Sequence, residues 1–127
     1  MGLKGCVKMK WELVSDRPIY AQLLEQVERA IVAGFLLPGE KLPGVRDMAA
    51  EAGVNPNTMQ RALAELERRG LLYSQRTSGR YVTEDIHMIE TMKGEIAREV
   101  VKNFYRQMEA LGYSKEETRN IIEKMEG

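Results

Sequence analysis

Four polar side chains, Asn57, Thr58, Gln60 and Arg61, occur within the stretch VNPNTMQRAL, residues 54–63. The amide of Asn or Gln can form two hydrogen bonds with adenine in the major groove of DNA, and the guanidinium of Arg can do the same with guanine. A threonine hydroxyl and the free N–H groups of a helix's first turn can hold a phosphate. If these residues begin a helix, they form a surface that suits a DNA duplex.

The residues around this stretch predict such a helix over residues 56–69. Asn55 is a good N-cap, because its side-chain oxygen can accept a hydrogen bond from an amide two or three residues on. Pro56 fits the first helical position, where its missing N–H has no intrahelical partner and its fixed φ already suits the helix. Gly70 ends the helix, and the buried face is predicted to consist of Met59, Ala62, Leu63 and Leu66.

Two further helices are predicted before this one. Pro18 can sit in the first turn of a helix over residues 18–33, whose apolar face would contain Ile19, Leu23, Val27, Ala30 and Ile31. A second, short helix follows a Pro38-Gly39 turn and ends at Gly53, with its buried stripe at Val45, Met48, Ala49 and Ala52. Only Val54 separates Gly53 from the Asn55 cap. Two short helices joined by so tight a turn predict a helix-turn-helix, although other two-helix corners share this pattern.

A hairpin is predicted directly after the third helix. The run LLYSQRTSGRYV contains two strand-like segments, residues 71–74 and 80–82, on either side of a polar turn with Gly79. Arg76 and Arg80 flank the tip. A helix-turn-helix followed by a basic hairpin is a winged helix, and its hairpin, the wing, can approach a phosphate backbone or an adjacent minor groove.

The net charge of zero is unevenly distributed. Residues 1–83 contain 12 Lys and Arg against 9 Asp and Glu, whereas residues 84–127 contain 7 against 10. Residues 55–82 carry two acidic side chains and five arginines, namely Arg61, Arg68, Arg69, Arg76 and Arg80. This excess suits a polyanionic partner, but a solvated helix face would show the same composition. The position of each arginine has to decide between the two.

The last 44 residues predict two helices separated by Gly112. The first has an apolar stripe at Ile89, Met92, Ile96, Val100, Phe104, Met108 and Leu111. Ser114 and Glu117 form a capping box that opens the second, whose apolar residues are Ile121, Ile122 and Met125. These ten side chains are the predicted dimer interface, because a helical pair of this size cannot bury both stripes alone. The alternative is packing onto the winged helix of the same chain.

The chain resembles the winged-helix domain of the GntR family of bacterial transcription regulators. The resemblance covers roughly residues 11–82 and rests on PIYAQL, GFLLPGEKLPGVRDMAAEAGVNPNTMQRALAELERRGLL and SGRYV. VNPNT and the short C-terminal remainder are similar in particular to the YtrA subfamily. The resemblance departs from the family pattern at Pro56, where many members carry a basic residue, at Gly44, which replaces a small hydroxyl residue, and at Thr77, which replaces a wing glycine.

The resemblance implies a mainly α fold, with a winged helix-turn-helix of three helices and a two-stranded wing followed by a two-helix dimerisation tail. We divide the chain into a DNA-binding domain, residues 1–83, and a helical dimerisation region, residues 84–127; residues 1–8 are a candidate flexible end with no assigned function. The resemblance also implies a homodimer on a palindromic double-stranded DNA operator, and repression, in YtrA-like regulators commonly of transporter operons. The residues assigned to DNA binding are Arg46, Asn55, Asn57, Thr58, Gln60, Arg61, Arg76, Ser78, Gly79 and Arg80. Among Asn57, Gln60 and Arg61 we expect at least one base contact, and we expect Arg46, Thr58, Arg76 and Arg80 mainly to position the duplex backbone.

No enzyme, cofactor or metal is predicted. The sequence has no Gly-rich phosphate loop before a helix, no zinc spacing and no nucleophile with a base partner. Cys6, the single cysteine, is expected to be a free thiol, and His87 a surface histidine rather than a ligand. A tail of 44 residues is too short for a separate ligand domain, so a small-molecule effector is not indicated.

Two further expectations concern location and the competing class of function. No apolar window is long enough for a membrane span and no signal peptide is evident, so a cytoplasmic protein without a membrane partner is expected. The alternative to DNA binding is a winged helix that serves as a protein-protein interaction module. Retention on heparin and salt-sensitive binding to random duplex would distinguish the two.

Overall fold

The computed structural model describes residues 9–127, so the expectations for Cys6 and residues 1–8 lie outside the described residues. The described chain forms, in order, α1 (Ile19–Val32), α2 (Val45–Ala52), α3 (Pro56–Arg68), β1 (Leu72–Gln75), β2 (Gly79–Val82), α4 (Ile86–Ala110) and α5 (Lys115–Glu126). The predicted fold class, a mainly helical winged helix-turn-helix followed by C-terminal helices, is confirmed. No helix within the described range combines the length and apolar character needed to cross a bilayer.

The core of the winged helix lies between α1 and α3, and α2 and β1 also pack against α3. The predicted apolar stripes face this core, because residues three and four apart share one side of a helix. Their fully buried members are Leu23, Val27 and Ile31 of α1 and Met59, Leu63 and Leu66 of α3. Burying a side chain of this size stabilises the fold by about 1.5–3 kcal/mol relative to leaving it in water. Packing against α1 therefore fixes which side of α3 is left for solvent.

The wing is a two-stranded antiparallel hairpin in which Leu72 pairs with Val82 and Gln75 with Gly79. Its second strand, β2, also pairs on its other side with the segment of residues 39–42. The N–H of Gly39 donates to the Val82 oxygen at 2.9 Å, and the N–H of Leu42 donates to the Arg80 oxygen at 2.9 Å. The hairpin is thus anchored to the chain that leads into α2, a pairing that the sequence did not predict.

The segment before α1 is held by two glutamine side chains. Gln22, which is buried, accepts a hydrogen bond from the Val14 N–H at 2.7 Å and donates to the Val14 and Arg17 oxygens. Gln26 makes the same reciprocal pair with the backbone of Glu12. Each side-chain amide donates and accepts as the backbone of a neighbouring strand would. The two glutamines therefore provide hydrogen-bond partners for the backbone N–H and C=O groups of an irregular segment.

The N-cap of α3 forms as predicted. The Asn55 side-chain oxygen accepts from the Asn57 N–H at 2.7 Å, and Pro56 occupies the first helical position. We predict that Asn55→Ala lowers the free energy of unfolding by about 0.5–2 kcal/mol, because one amide of the first turn loses its partner. Urea unfolding measures this loss. Asn57→Ala is the control: Asn57 is exposed and its side chain makes no hydrogen bond among residues 9–127, so it should change stability by less than about 0.5 kcal/mol.

The chain divides into two compact units, up to Glu90 and from Thr91 to Gly127, so the division falls within α4 rather than at the expected residue 83. In the second unit the predicted capping box is present: the Glu117 N–H donates to the Ser114 Oγ at 3.0 Å, and the Ser114 N–H donates to the Glu117 carboxylate at 2.9 Å. Thr118 is the only buried residue between positions 91 and 127. This unit has no buried apolar side chain of its own.

Candidate nucleic-acid interface

The start of α3 presents a polar surface, because its apolar residues are turned towards α1. Asn57, Gln60 and Arg61 are exposed, and Thr58 is half-buried. The first-turn amides themselves are already used: the Asn57 N–H donates to the Asn55 side chain and the Thr58 N–H donates to the Asn55 oxygen at 3.0 Å. The expectation that these amides hold a phosphate is therefore not met, because the cap consumes them. The side chains are left to make the contacts.

Two of the five arginines between residues 55 and 82 are neutralised at the far end of α3. Arg68 and Arg69 both pair with Glu65, and Arg69 also lies 3.4 Å from the Glu28 carboxylate. Hydrogen bonds from Arg68 and then Arg69 lower the pKa of Glu65 to about 2. For Arg68 and Arg69, these ion pairs favour the alternative that the sequence left open, a solvated helix face.

These pairs have a pH signature. A carboxyl whose pKa falls on folding stabilises the native state above its unfolded pKa, and that contribution is lost as the pH falls through the folded value. For Glu65 the window runs from the ordinary pKa of 4.5 down to about 2. We predict that Glu65→Gln reduces the acid sensitivity of stability in this window, as measured by urea unfolding between pH 5 and pH 2.5. Glu95→Gln, which alters a carboxylate with no ion pair among residues 9–127, should leave the pH profile unchanged.

The wing carries an exposed arginine, Arg76, at its turn, and Arg76 has no ion-pair partner within residues 9–127. The turn is closed by a hydrogen bond from the Ser78 N–H to the Gln75 oxygen at 3.0 Å. Gly79 has φ of +121°, a backbone conformation that side chains with a Cβ rarely adopt, so the backbone there favours glycine. The wing therefore ends in a hydrogen-bonded turn that leaves the Arg76 side chain exposed, where it can contact a phosphate.

The other wing arginine, Arg80, is held against the side of α3. Its Nε donates to the Glu67 carboxylate at 3.1 Å, and its Nη1 donates to the Gln60 Oε1 at 3.2 Å. The side chain is only 16% exposed, and its hydrogen bond to Glu67 lowers the pKa of that carboxyl. The structure thus brings together two predicted DNA-binding residues, Gln60 and Arg80. It does not leave Arg80 as a free backbone contact.

Arg61 and Arg46 lie on other parts of the same domain. The Arg61 guanidinium lies over the ring of Tyr20 of α1, 4.5 Å from the ring centre, in a cation-π contact. Arg46, in the first turn of α2, is exposed and makes no ion pair within the described chain. Both remain charged at the surface. Arg46, Arg61 and Arg76 are therefore the arginines of the predicted set that keep their charge available for an anion.

Lys41 is a basic residue of this surface that the sequence reasoning missed. Its backbone bridges Tyr81 of β2, which places its exposed side chain beside Gly79. Lys41, Val45, Ser78, Gly79 and Arg80 line one groove of about 280 Å³ between the entry to α2 and the wing. No sequence signal marked Lys41, since its position depends on pairing with a strand forty residues later.

The predicted dimer residues of the tail differ in exposure. Ile89 is buried in the single chain and belongs to its core, so its assignment to the dimer interface is corrected. Those already half-buried are Met92, Ile96, Met108, Ile121 and Ile122. The remaining members are exposed: Val100, Phe104, Leu111 and Met125. His87 is exposed as expected.

Comparison with known proteins agrees with this geometry. Residues 19–82 match the family described as bacterial regulatory proteins, gntR family. The uncharacterized HTH-type transcriptional regulator YhcF of Bacillus subtilis is 43% identical over 103 residues, which are 81% of this chain and 85% of that protein. The HTH-type transcriptional repressor YtrA of the same organism is 41% identical over 71 residues, 56% of this chain and 55% of that protein. The resemblance seen in the sequence is confirmed.

Solved structures give the same result. A GntR family transcriptional regulator from Listeria monocytogenes superposes with a TM-score of 0.80 at 38% identity, covering 88% of this chain and 98% of that one. The DNA-binding domain of AraR in complex with operator ORX1 superposes with a TM-score of 0.55 at 28% identity, covering 61% of this chain and 99% of that one. A domain of this fold therefore binds operator DNA in a relative.

Proposed function

The chain belongs to the gntR family of bacterial regulatory proteins and is a DNA-binding transcriptional regulator, and on this premise we propose that it is a homodimeric repressor of a two-fold symmetric operator. The observation that carries this proposal is the pairing of an exposed polar helix start with an adjacent wing. In our proposal Asn57, Gln60 and Arg61 of α3 face the bases, and Thr58 of α3 and Arg76 of the wing meet the backbone. We place the protein in the cytoplasm, where bacterial DNA lies.

The full set of proposed DNA contacts is wider. Arg46 of α2 adds charge to that of Arg61 on α3, and Ser78 and Gly79 shape the wing. Asn55 acts through its cap, which fixes the start of α3, and Arg80 acts through its contacts with α3. Selecting bound fragments of the source genome with the purified protein tests the proposal. A symmetric site upstream of an operon would support it, and recovery of unrelated fragments at random would contradict it.

The phosphate contact of the wing has its own test. We predict that Arg76→Ala weakens binding to all duplex sequences alike and makes the negative slope of log Kobs against log salt shallower by about 0.9 for each Arg76, hence by about 1.8 for the two wings of a dimer, because fewer counterions are released. Titrations of specific and random duplex over a range of salt concentrations measure both effects. Arg68→Ala is the control, since Arg68 is paired with Glu65 and should leave the slope unchanged. An unchanged slope in Arg76→Ala would remove Arg76 from the phosphate contacts.

The dimer part of the proposal is supported by the second unit. Residues 91–127 bury no apolar side chain in the single chain and expose Val100, Phe104 and Met125. Helices with uncovered apolar surface of this kind need a partner surface to be stable in water. A two-fold partner supplies the same surface in return and sets two copies of α3 on the two halves of a palindrome. No small-molecule effector is part of the proposal.

A protein-interaction module is the second candidate, and the pairing of Arg68, Arg69 and Arg80 with carboxylates favours it, since it lowers the charge available for DNA. Binding of the purified chain to heparin and to random duplex at low salt separates the two. Retention that declines steeply with salt supports DNA binding. Absence of retention would favour the protein-interaction module.

A further inference from the structure

We propose that Arg80 is a positioning residue that holds the Gln60 amide with its NH₂ group directed towards DNA, so that Gln60 selects guanine rather than adenine. This inference rests on the proposed function, since it specifies how α3 reads a base. It revises the general expectation that glutamine pairs with adenine. Three side chains determine this preference, Gln60 and Glu67 of α3 and Arg80 of β2.

The three side chains form one connected cluster. Gln60 and Glu67 lie seven residues apart, which is close to two helical turns, so they share the face of α3 that meets the wing. Arg80 bridges them, with 3.1 Å from its Nε to the Glu67 Oε1 and 3.2 Å from its Nη1 to the Gln60 Oε1. Because Arg80 is largely buried, Glu67 fixes the direction of the guanidinium, and the guanidinium fixes Gln60 in turn.

The chemistry of the pair decides which end of the Gln60 amide faces outwards. A guanidinium only donates hydrogen bonds, so the amide oxygen must face Arg80 and the NH₂ group is turned away. Reading adenine needs both ends of the amide, with the oxygen accepting from N6 and the nitrogen donating to N7. With its oxygen turned towards Arg80, Gln60 directs its NH₂ donors outwards, and guanine presents two acceptors, O6 and N7, on the same edge. The positive charge of Arg80 favours the same edge.

Selection from a randomised duplex library with the full chain tests this inference. Wild type is expected to show a guanine preference of about tenfold at one position of each half-site. Gln60→Ala should abolish the preference at that position. Arg80→Met, which keeps an apolar stem against α3, releases the amide and should shift the preference towards adenine. Arg76→Ala is the matched control from the same wing: it should weaken binding to all sequences and keep the guanine preference.

A folding defect in Arg80→Met would be visible in its unfolding midpoint, and Arg80→Lys is then the substitute. Lysine keeps the charge but is a single point donor group rather than a planar fork, so it cannot hold Glu67 and Gln60 in the same way, and the shift towards adenine is again expected. Equal loss of affinity for all four bases in the Arg80 variants would overturn the inference and make Arg80 a backbone contact.

The outcomes also separate this inference from the proposed function. If the wild type binds no duplex, the proposed function fails and the inference fails with it. If the wild type selects a defined site but Gln60→Ala leaves every base preference intact, only the inference fails. An adenine preference at the Gln60-dependent position of the wild type would likewise overturn the inference alone.

Discussion

Replacing Val100 and Phe104 together with glutamate is expected to convert the proposed dimer into monomers and to weaken operator binding by about a hundredfold or more. Both side chains are exposed in the single chain and lie four residues apart, on one face of α4. In a two-fold dimer each substitution occurs twice, so four carboxylates would be buried without partners, at a cost of several kcal/mol each. A monomer can contact only one half-site. Each base-pair contact that is lost costs about 1–3 kcal/mol of binding free energy. Losing half of the site therefore lowers the affinity by more than about a hundredfold.

Sedimentation at micromolar concentration measures the oligomeric state, and operator titration measures the affinity. Lys102→Glu is the matched control: it changes the net charge by the same two units, but position 102 lies about 200° around the helix from both substituted positions, away from the apolar face. This variant should remain dimeric. A wild type that sediments as a monomer, or a double variant that remains a dimer, would contradict the proposed role of the tail.

Features that depend on neighbours in sequence were predicted well. The cap at Asn55, the first-turn Pro56, the capping box at Ser114 and the apolar stripes of α1 and α3 all involve residues a few positions apart, where spacing alone determines the geometry. The wing was placed within one residue at each end for the same reason. A recognisable turn between two short β-prone segments leaves few alternatives.

Features that depend on distant contacts were not predicted. Two examples are the pairing of Lys41 with Tyr81 and the segment before α1, which Gln22 and Gln26 hold. In both, the residues that meet are brought together only by the packed fold. The arginine excess shows the same limit. Counting charges cannot distinguish Arg76, which is exposed at the wing tip, from Arg80, whose N–H groups donate hydrogen bonds to Glu67 and Gln60. Composition measures total charge, whereas recognition depends on the charge and the donors left over after folding.

The α3 side chains that we propose as DNA contacts are held in place by the core behind them, so a cavity in that core should have a large effect on stability. Leu66 is 0% exposed, on the face of α3 that packs into the core. We predict that Leu66→Ala lowers the free energy of unfolding by about 2–5 kcal/mol, because the lost methyl and methylene groups leave a space that the neighbouring side chains fill only in part. Against a total of about 5–15 kcal/mol for a domain, this loss is severe.

The same substitution at Leu37, which is 48% exposed, is the control for Leu66→Ala and should cost less than about 1 kcal/mol. Urea unfolding of the two variants measures the difference. Leu66 lies opposite the polar face of α3, so the folded fraction of Leu66→Ala should still bind operator with wild-type affinity at low temperature. Binding should then be lost on warming in parallel with unfolding. A loss of affinity in fully folded Leu66→Ala would show instead that the core sets the position of α3 on the duplex, and not only its stability.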